Sequence, residues 1–248
     1  MSEEALIFGQ HAVRTLLQQR PERASLLILQ KGRDDGRATE LMQLAQAVGV
    51  RTEWREVREL DRLVANERHQ GACLQIRPAA ALGEGALDDM LEKTTAAPPL
   101  LLVLDGVQDP HNLGACLRTA DAAGATAVIV PRDRAAGLSP TVRKVASGAA
   151  ETMPLIQVVN LARTLRWLKE REIWVVGTDD QAPTSVYGAK LTGPLACVLG
   201  AEGAGLRRLT RECCDVLVSI PMRGVVESLN VSVATGVLLF EAIRQRSG

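Results

Sequence analysis

Aromatic residues are scarce in this 248-residue chain: two Phe, one Tyr and three Trp make up 2% of it. So sparse a set excludes a surface on which successive nucleobases stack over several rings. Net charge is absent too, since 29 Lys+Arg meet 29 Asp+Glu, and a histone-like polycation is thereby excluded. No apolar run approaches the roughly 18 residues of a membrane-spanning helix, and the N-terminal MSEEALIFG is acidic. The sequence therefore predicts no transmembrane helix and no secretory signal, and a cytoplasmic protein with no membrane partner. The five cysteines, Cys73, Cys116, Cys197, Cys213 and Cys214, are odd in number and show no CxxC spacing. That speaks against a disulfide framework or a zinc site, and they read as reduced core residues. His11, His69 and His111 have no metal-ligand spacing either, so no metal is expected and each reads as a capping or surface histidine.

What remains is a chain with 46% hydrophobic and 23% charged residues, too apolar for a mainly disordered protein and long enough for two unequal domains. Its 24 Arg against 5 Lys fit a composition that is also rich in Ala. Pro78, an Ala/Gly stretch and Pro98-Pro99 mark residues 78–98 as an acidic linker with one short helix near Leu87–Lys93. Residues 1–77 and 99–248 on either side are each slightly basic. The first part alternates helix and strand signals: helix His11–Gln19, strand Leu26–Gln30, helix Arg37–Ala47, strand Val50–Trp54, helix Val57–Ala65, strand Ala72–Arg77. This is a small α/β module, in which Arg14, Arg33, Arg37, Arg51 and Arg68 are candidate RNA contacts or plain solvated charges. The second part has five apolar runs, Leu100–Leu104, Thr126–Val130, Ile173–Val176, Leu195–Leu199 and Val216–Ile220, each followed by a loop and a helical pattern. Continuous apolar strands separated by helices predict a parallel sheet covered on both faces, with ligands bound beyond the carboxyl ends of its strands.

Three segments follow those runs. In Gln108–Arg118, Pro110 and Asn112 suit a helix-capping turn, Gly114 permits close approach, and Arg118 lies six residues after Asn112, so both are expected on one side of a site. The spacing alone also fits ordinary capping plus a surface arginine. In Gly200–Gly205 three glycines surround Glu202 in a GxxGxG spacing, which is neither the dinucleotide fingerprint nor a phosphate loop. A carboxylate there repels phosphate and suits a hydroxyl, an amine or an arginine. In Ile220–Ser232, Ser228 is the expected N-cap of a helix running to about Gln245. That helix is apolar nearly all round, which points to packing against a second subunit as well as the sheet. Ser228, Asn230 and Ser232 at its start are not required by packing.

Taken together, NxGxxxR, then a strand with GAEGxG, then IPMxGxxxSLNVSVA, in order across 105–245, closely resemble the SpoU (TrmH-like) ribose methyltransferases of the SPOUT class. Gly9–Val13 (GQHAV) and Arg68–Ile76 (RHQGACLQI) resemble that family's small substrate-binding domain. The two-domain layout is most similar to the branch that methylates a guanosine ribose in large-subunit (23S) ribosomal RNA. The resemblance implies an L30e-like N-terminal domain over 1–77, a methyltransferase domain with a deep trefoil knot over 99–248, S-adenosylmethionine as methyl donor, and a homodimer through the C-terminal domain. It implies Arg118, Asn112, Glu202, Ser228 and Asn230 as catalytic residues, and Thr178, Leu199, Gly200, Gly203, Ile220, Met222, Ser228 and Leu229 around the cofactor. A transfer RNA substrate, or a non-catalytic RNA-binding protein of ribosome assembly, are the alternatives. A folded N-terminal domain favours ribosomal RNA. Arg118, Arg132, Arg134, Arg143 and Arg223, all after strands, are expected to form a local arginine patch that binds phosphate despite zero net charge.

Overall fold

The computed structural model describes residues 5–33, 36–65, 68–77, 79–93 and 97–248. The chain divides into two compact units, Met1–Ala79 and Ala80–Gly248. In the first, β1 (Ala5–Phe8), α1 (Gln10–Gln19), β2 (Ala24–Gln30), α2 (Gly36–Ala47), β3 (Arg51–Arg55), α3 (Val57–Leu63) and β4 (Ala72–Ile76) follow in order. The four strands form one sheet in the order β1-β4-β2-β3. The β2–β3 pair is parallel, and the β1–β4 and β2–β4 pairs are antiparallel. Being internal, β2 buries Leu26, Leu27, Ile28 and Leu29 without alternation. Leu27 and Leu29 join Val13, Leu16 and Leu17, spaced to share one side of α1, while Leu26 and Ile28 pack with Leu60 of α3 on the opposite face. Strand β1 was not foreseen, because ALIF is too short to show a period.

The second unit contains α4 (Glu84–Lys93), β5 (Leu100–Asp105), α5 (Pro110–Ala122), β6 (Ala127–Pro131), α6 (Pro140–Ala146), α7 (Ala149–Thr152), β7 (Leu155–Val158), α8 (Leu161–Glu170), β8 (Trp174–Thr178), β9 (Thr184–Ser185), β10 (Leu195–Gly200), α9 (Arg208–Cys213), β11 (Val216–Ser219) and α10 (Val231–Ser247). Its seven strands lie in the order β7-β6-β5-β10-β8-β11-β9, all parallel. The five apolar runs are five of these strands. The other two, β7 and β9, escaped notice because LIQV is interrupted by Gln157 and β9 has two residues. Alternate residues of β5 face opposite cores: Leu102 and Leu104 lie with Leu113, Leu117 and Leu238, and Leu101 and Val103 with Leu87, Leu165 and Leu168. Each such buried side chain is worth about 1.5–3 kcal/mol relative to exposure.

Part of the segment read as linker is built into this unit. Leu82 bridges to Ile156, and Leu87 of α4 is buried. Glu84 pairs with Arg163 of α8 and Asp88 with Arg171 just beyond it, so two of the segment's acids are spent on this unit's own arginines. Cys73, Cys116, Cys197 and Cys213 are buried and Cys214 half-buried, all free. Burial pushes the Cys116 thiol up to about 11 and those of Cys73, Cys197 and Cys214 to about 12. Helix α10 buries Val231, Thr235, Leu238, Leu239 and Ala242 and leaves Val233 and Phe240 about half exposed, at 51% and 50%. No helix among the described residues is long and apolar enough to cross a membrane.

Candidate active site

The carboxyl ends of β5, β10, β8 and β11 lie side by side, and the segments singled out by sequence leave from them. Beyond β5, Asp109 rather than Asn112 caps α5, its carboxylate accepting the His111 N–H at 2.9 Å. Pro110 at the first helical position costs no hydrogen bond. Asn112 is thereby set at the third position of the helix, 9% exposed, facing the interior. At Gly114 a Cβ would stand 2.7 Å from the Val145 Cβ and 2.9 Å from the Val142 carbonyl, so the missing side chain lets α5 and α6 touch.

Beyond β10 the glycine loop folds back on its own strand. Ala201 bridges to Gly205, and a Cβ on Gly200 would lie 2.1 Å from the Gly205 carbonyl carbon. Gly203 and Gly205 hold φ of 74° and 63°, in the left-handed region. The loop is closed by a clasp the sequence did not reveal. Asp105, buried at the end of β5, accepts the Arg207 N–H at 2.9 Å and its Nε–H at 2.5 Å. Glu202 is carried at the tip of this loop.

Beyond β11, Asn230 caps α10 in place of the expected Ser228: its Oδ1 accepts both the backbone N–H and the hydroxyl of Ser232, at 2.9 and 2.5 Å. The side chain of Asn230 thus reaches two residues forward, while Ser228, two residues earlier, is exposed and makes no hydrogen bond among the described residues. The Asn230 amide donates to Asn112 Oδ1 at 2.9 Å and to Glu202 Oε1 at 2.5 Å, and Asn112 Nδ2 donates to Glu202 Oε2 at 3.4 Å. Three side chains from three distant segments form a closed ring, with Glu202 as acceptor only.

Arg118 does not join this ring. Six residues along a helix are about 240° around it, so Asn112 points inward and Arg118 outward. Arg118 is exposed and has no ion pair or hydrogen bond among the described residues. The arginine patch is thinned as well. Arg143 is half-buried and paired with the buried Glu151, whereas Arg132, Arg134 and Arg223 are exposed, Arg134 with φ 58°.

The residues assigned to the cofactor sit around the same edge. Thr178 ends β8 with its hydroxyl on the Val198 carbonyl at 3.4 Å. Leu199 and Gly200 end β10, and half-buried Ile220, Met222 and Leu229 follow β11. Tight glycine turns beside half-buried apolar side chains leave backbone groups able to hold a flat, partly apolar group, and this donor set fits a nucleoside-bearing cofactor; no group of three or more His, Cys, Asp or Glu that could hold a metal ion is found among the described residues. Sequence reasoning missed Ser232, noted only as a small polar residue, and the Asp105–Arg207 clasp, whose one signal was a carboxylate closing an apolar strand.

Known proteins resemble this chain over nearly its whole length. Residues 6–81 match the family described as RNA 2'-O ribose methyltransferase substrate binding. A protein of Shewanella oneidensis named 23S rRNA (guanosine-2'-O-)-methyltransferase RlmB is 55% identical over 246 residues, covering 99% of both chains. The protein of that name from Pseudomonas putida is 56% identical, over 99% of this chain and 98% of its own. The crystal structure of the SpoU methyltransferase AviRb from Streptomyces viridochromogenes with AdoMet superposes with a TM-score of 0.77 at 26% identity, covering 99% of this chain and 92% of that one. Residues 99–240, which contain the glycine loop, its clasp and the whole Asn112–Glu202–Asn230 ring, match the SpoU rRNA Methylase family, and the chain belongs to it.

Proposed function

We propose that the protein transfers a methyl group from S-adenosylmethionine to the ribose 2′-hydroxyl of a guanosine in large-subunit ribosomal RNA. The observation that carries this reading is the ring of Asn112, Glu202 and Asn230 at the shared carboxyl edge of the sheet, in a chain more than half identical, end to end, to proteins named for that reaction. The full-length match, with a folded first unit, favours ribosomal over transfer RNA. Residues 1–77 form the RNA-binding domain, of L30e-like form, and 99–248 catalyse, with most of the intervening segment 78–98 packed onto the catalytic unit through Leu82 and α4.

Thr178, Leu199, Gly200, Gly203, Ile220, Met222, Ser228 and Leu229 would hold the cofactor, which when bound would supply an activated methyl on a sulfonium whose departure leaves a neutral thioether. The chain's task is the hydroxyl. Arg118 stabilises the oxyanion that develops as the hydroxyl passes its proton to solvent water and its oxygen takes the methyl, and it orients the neighbouring phosphate. The Asn112–Glu202–Asn230 ring fixes the shape of the site, and Ser228 offers a free hydroxyl at its rim. Positioning of the two substrates supplies much of the rate. The knot fits the strand order, in which β10 is inserted between β5 and β8, and the packing of α10 on both α5 and β10. Half-exposed Val233 and Phe240, with fully exposed Val225 before them, support a homodimer through this domain. A cytoplasmic location follows from a ribosomal RNA substrate.

The test is methyl transfer from labelled cofactor to unmodified large-subunit RNA and to transfer RNA, with the modified ribose mapped. Label in one 23S guanosine is the expected result. Label in transfer RNA alone would change the substrate, and cofactor binding without transfer to either RNA would favour an assembly factor.

A further inference from the structure

The two segments of the first unit that carry the family resemblance meet at one cavity of about 280 Å³ between α1 and α2. Gln10 and Gln70, 60 residues apart, are stitched together there: the Gln10 N–H donates to Gln70 Oε1 at 3.3 Å, and Gln10 Nε2 donates to the Gln70 carbonyl at 3.1 Å. Gln70 stands in a strained turn, with φ of 54° at Gln70 and 77° at Gly71. His69 braces that turn from below. It is buried rather than on the surface, its Nδ1 accepts the Gly71 N–H at 3.0 Å, and its Nε2 therefore carries the proton donated to Asp61 at 3.0 Å. A Cβ on Gly71 would stand 2.7 Å from the Arg33 Cδ, so glycine there lets Arg33 lie across the turn.

The cavity wall carries Arg14, Arg37 and the carboxylate of Glu40, a net positive charge, and its floor is apolar. Arg37 reaches Gln10 Oε1 at 3.4 Å, Arg14 pairs with Glu40 at 2.9 Å while remaining half exposed, His11 is exposed, and Leu41 closes the bottom. Arg14 and Arg37 thus share the cavity, Arg33 lies across the Gln70–Gly71 turn, and Arg51 pairs with Glu53 on β3. Two guanidinium groups attract an anion, and an imidazole over an apolar floor suits a flat ring. An unpaired nucleotide carries both, and single-stranded RNA presents such nucleotides with base edges open to amides like those of Gln10 and Gln70.

We propose that this cavity holds one unpaired nucleotide of the RNA substrate: its phosphate on Arg14 and Arg37, its base against His11 and Leu41. The inference rests on the RNA-methylating reading and assigns to particular residues the contact that selects the RNA.

Its test uses the full chain and unmodified large-subunit RNA, with RNA affinity measured against salt and cofactor affinity by calorimetry. Arg37→Ala, His11→Ala and the pair Arg14→Ala/Glu40→Ala are expected to weaken RNA binding about tenfold while cofactor affinity stays at the wild-type value. Arg37→Ala lowers the slope of log affinity against log salt by about one, and Arg37→Lys restores it. Arg58→Ala, on α3, serves as the control and leaves RNA binding unchanged. RNA affinities within about twofold of wild type in Arg37→Ala and in the Arg14/Glu40 pair would overturn the proposal. So would an equal loss of affinity for a fully base-paired duplex. Failure of the wild-type protein to methylate any RNA would instead overturn the proposed function.

Discussion

Two regions of helix α5 are organised in opposite ways. Asn112 is buried in a ring with Glu202 and Asn230, where each oxygen of the carboxylate and each amide finds a partner within the chain. Arg118, two turns on, stands in an outward stripe with His111 and Ala122 and has no partner among the described residues. The ring is finished within one chain and sets a shape. The stripe is unfinished and presents donors to whatever lies outside, RNA or a second copy. Effects on stability and on turnover should therefore separate cleanly between them.

The largest separation is expected at Arg118. Arg118→Ala should cut turnover about 100- to 1000-fold, the range for losing one donor to a developing oxyanion. Cofactor affinity and melting temperature should stay unchanged, because the side chain is exposed and unpaired. Near-normal turnover in single-turnover assays would remove Arg118 from the mechanism and dissolve the contrast. Next comes Arg207→Ala, which leaves the Asp105 carboxylate buried without its guanidinium and should destabilise the second unit by about 3 kcal/mol. Asp105→Asn combined with Arg207→Ala should recover much of that loss. Chemical denaturation of the wild type and the two variants checks it, and equal stability of single and double variants would show that the clasp is not an ion pair in effect. Smaller again is Asn112→Ala. It strands the Asn230 amide and Glu202 and should cost about 1–3 kcal/mol while lowering turnover, so that both readouts move where Arg118→Ala moves one.

Some of this was legible in the sequence and some could not be. Strands β5, β6, β8, β10 and β11 were visible because a strand covered on both faces is apolar at every position. The short β7 and β9 carry no such run. Asn112, Glu202 and Asn230 were nominated from their motifs, and their mutual bonding adds a reason for the nomination. The cap of α10 was misplaced by two residues because Ser228 and Asn230 are both good caps, and only the reach of the Asn230 oxygen to Ser232 decides between them. A spacing of six placed Asn112 and Arg118 on one side by eye, whereas helical rotation puts them far apart. The Asp105–Arg207 clasp spans 102 residues and exists only because β10 enters the sheet beside β5, a fact of topology that no local pattern records. In the first unit, the five arginines looked alike until the fold gathered Arg14 and Arg37 around one cavity and left Arg51 on a strand.

A final prediction isolates the interior from the exposed stripe by pH. Cys197 lies in the middle of β10, the strand that carries the glycine loop, and burial pushes its thiol up to about 12, with a small opposing pull from Arg246. In the unfolded chain a thiol ionises near about 8.5. The folded value is the higher one, so the stabilisation is fully present below about pH 8.5 and is lost as pH rises towards about 12. Over that window the thiol removes up to about 1.4 kcal/mol of stability per pH unit, because the unfolded chain sheds a proton that the native one keeps. Urea denaturation at pH 8 and pH 10 should show the wild type losing about 2 kcal/mol more than Cys197→Ala, whose small apolar side chain cannot titrate. Iodoacetamide at pH 8 should leave native Cys197 unmodified for the same reason. The stripe around Arg118 contains no thiol, so Arg118→Ala should follow the wild-type pH curve throughout. Identical alkaline losses in the wild type and Cys197→Ala would mean that water reaches the centre of the sheet, and the division between a closed interior and an open stripe would fail at its most buried point.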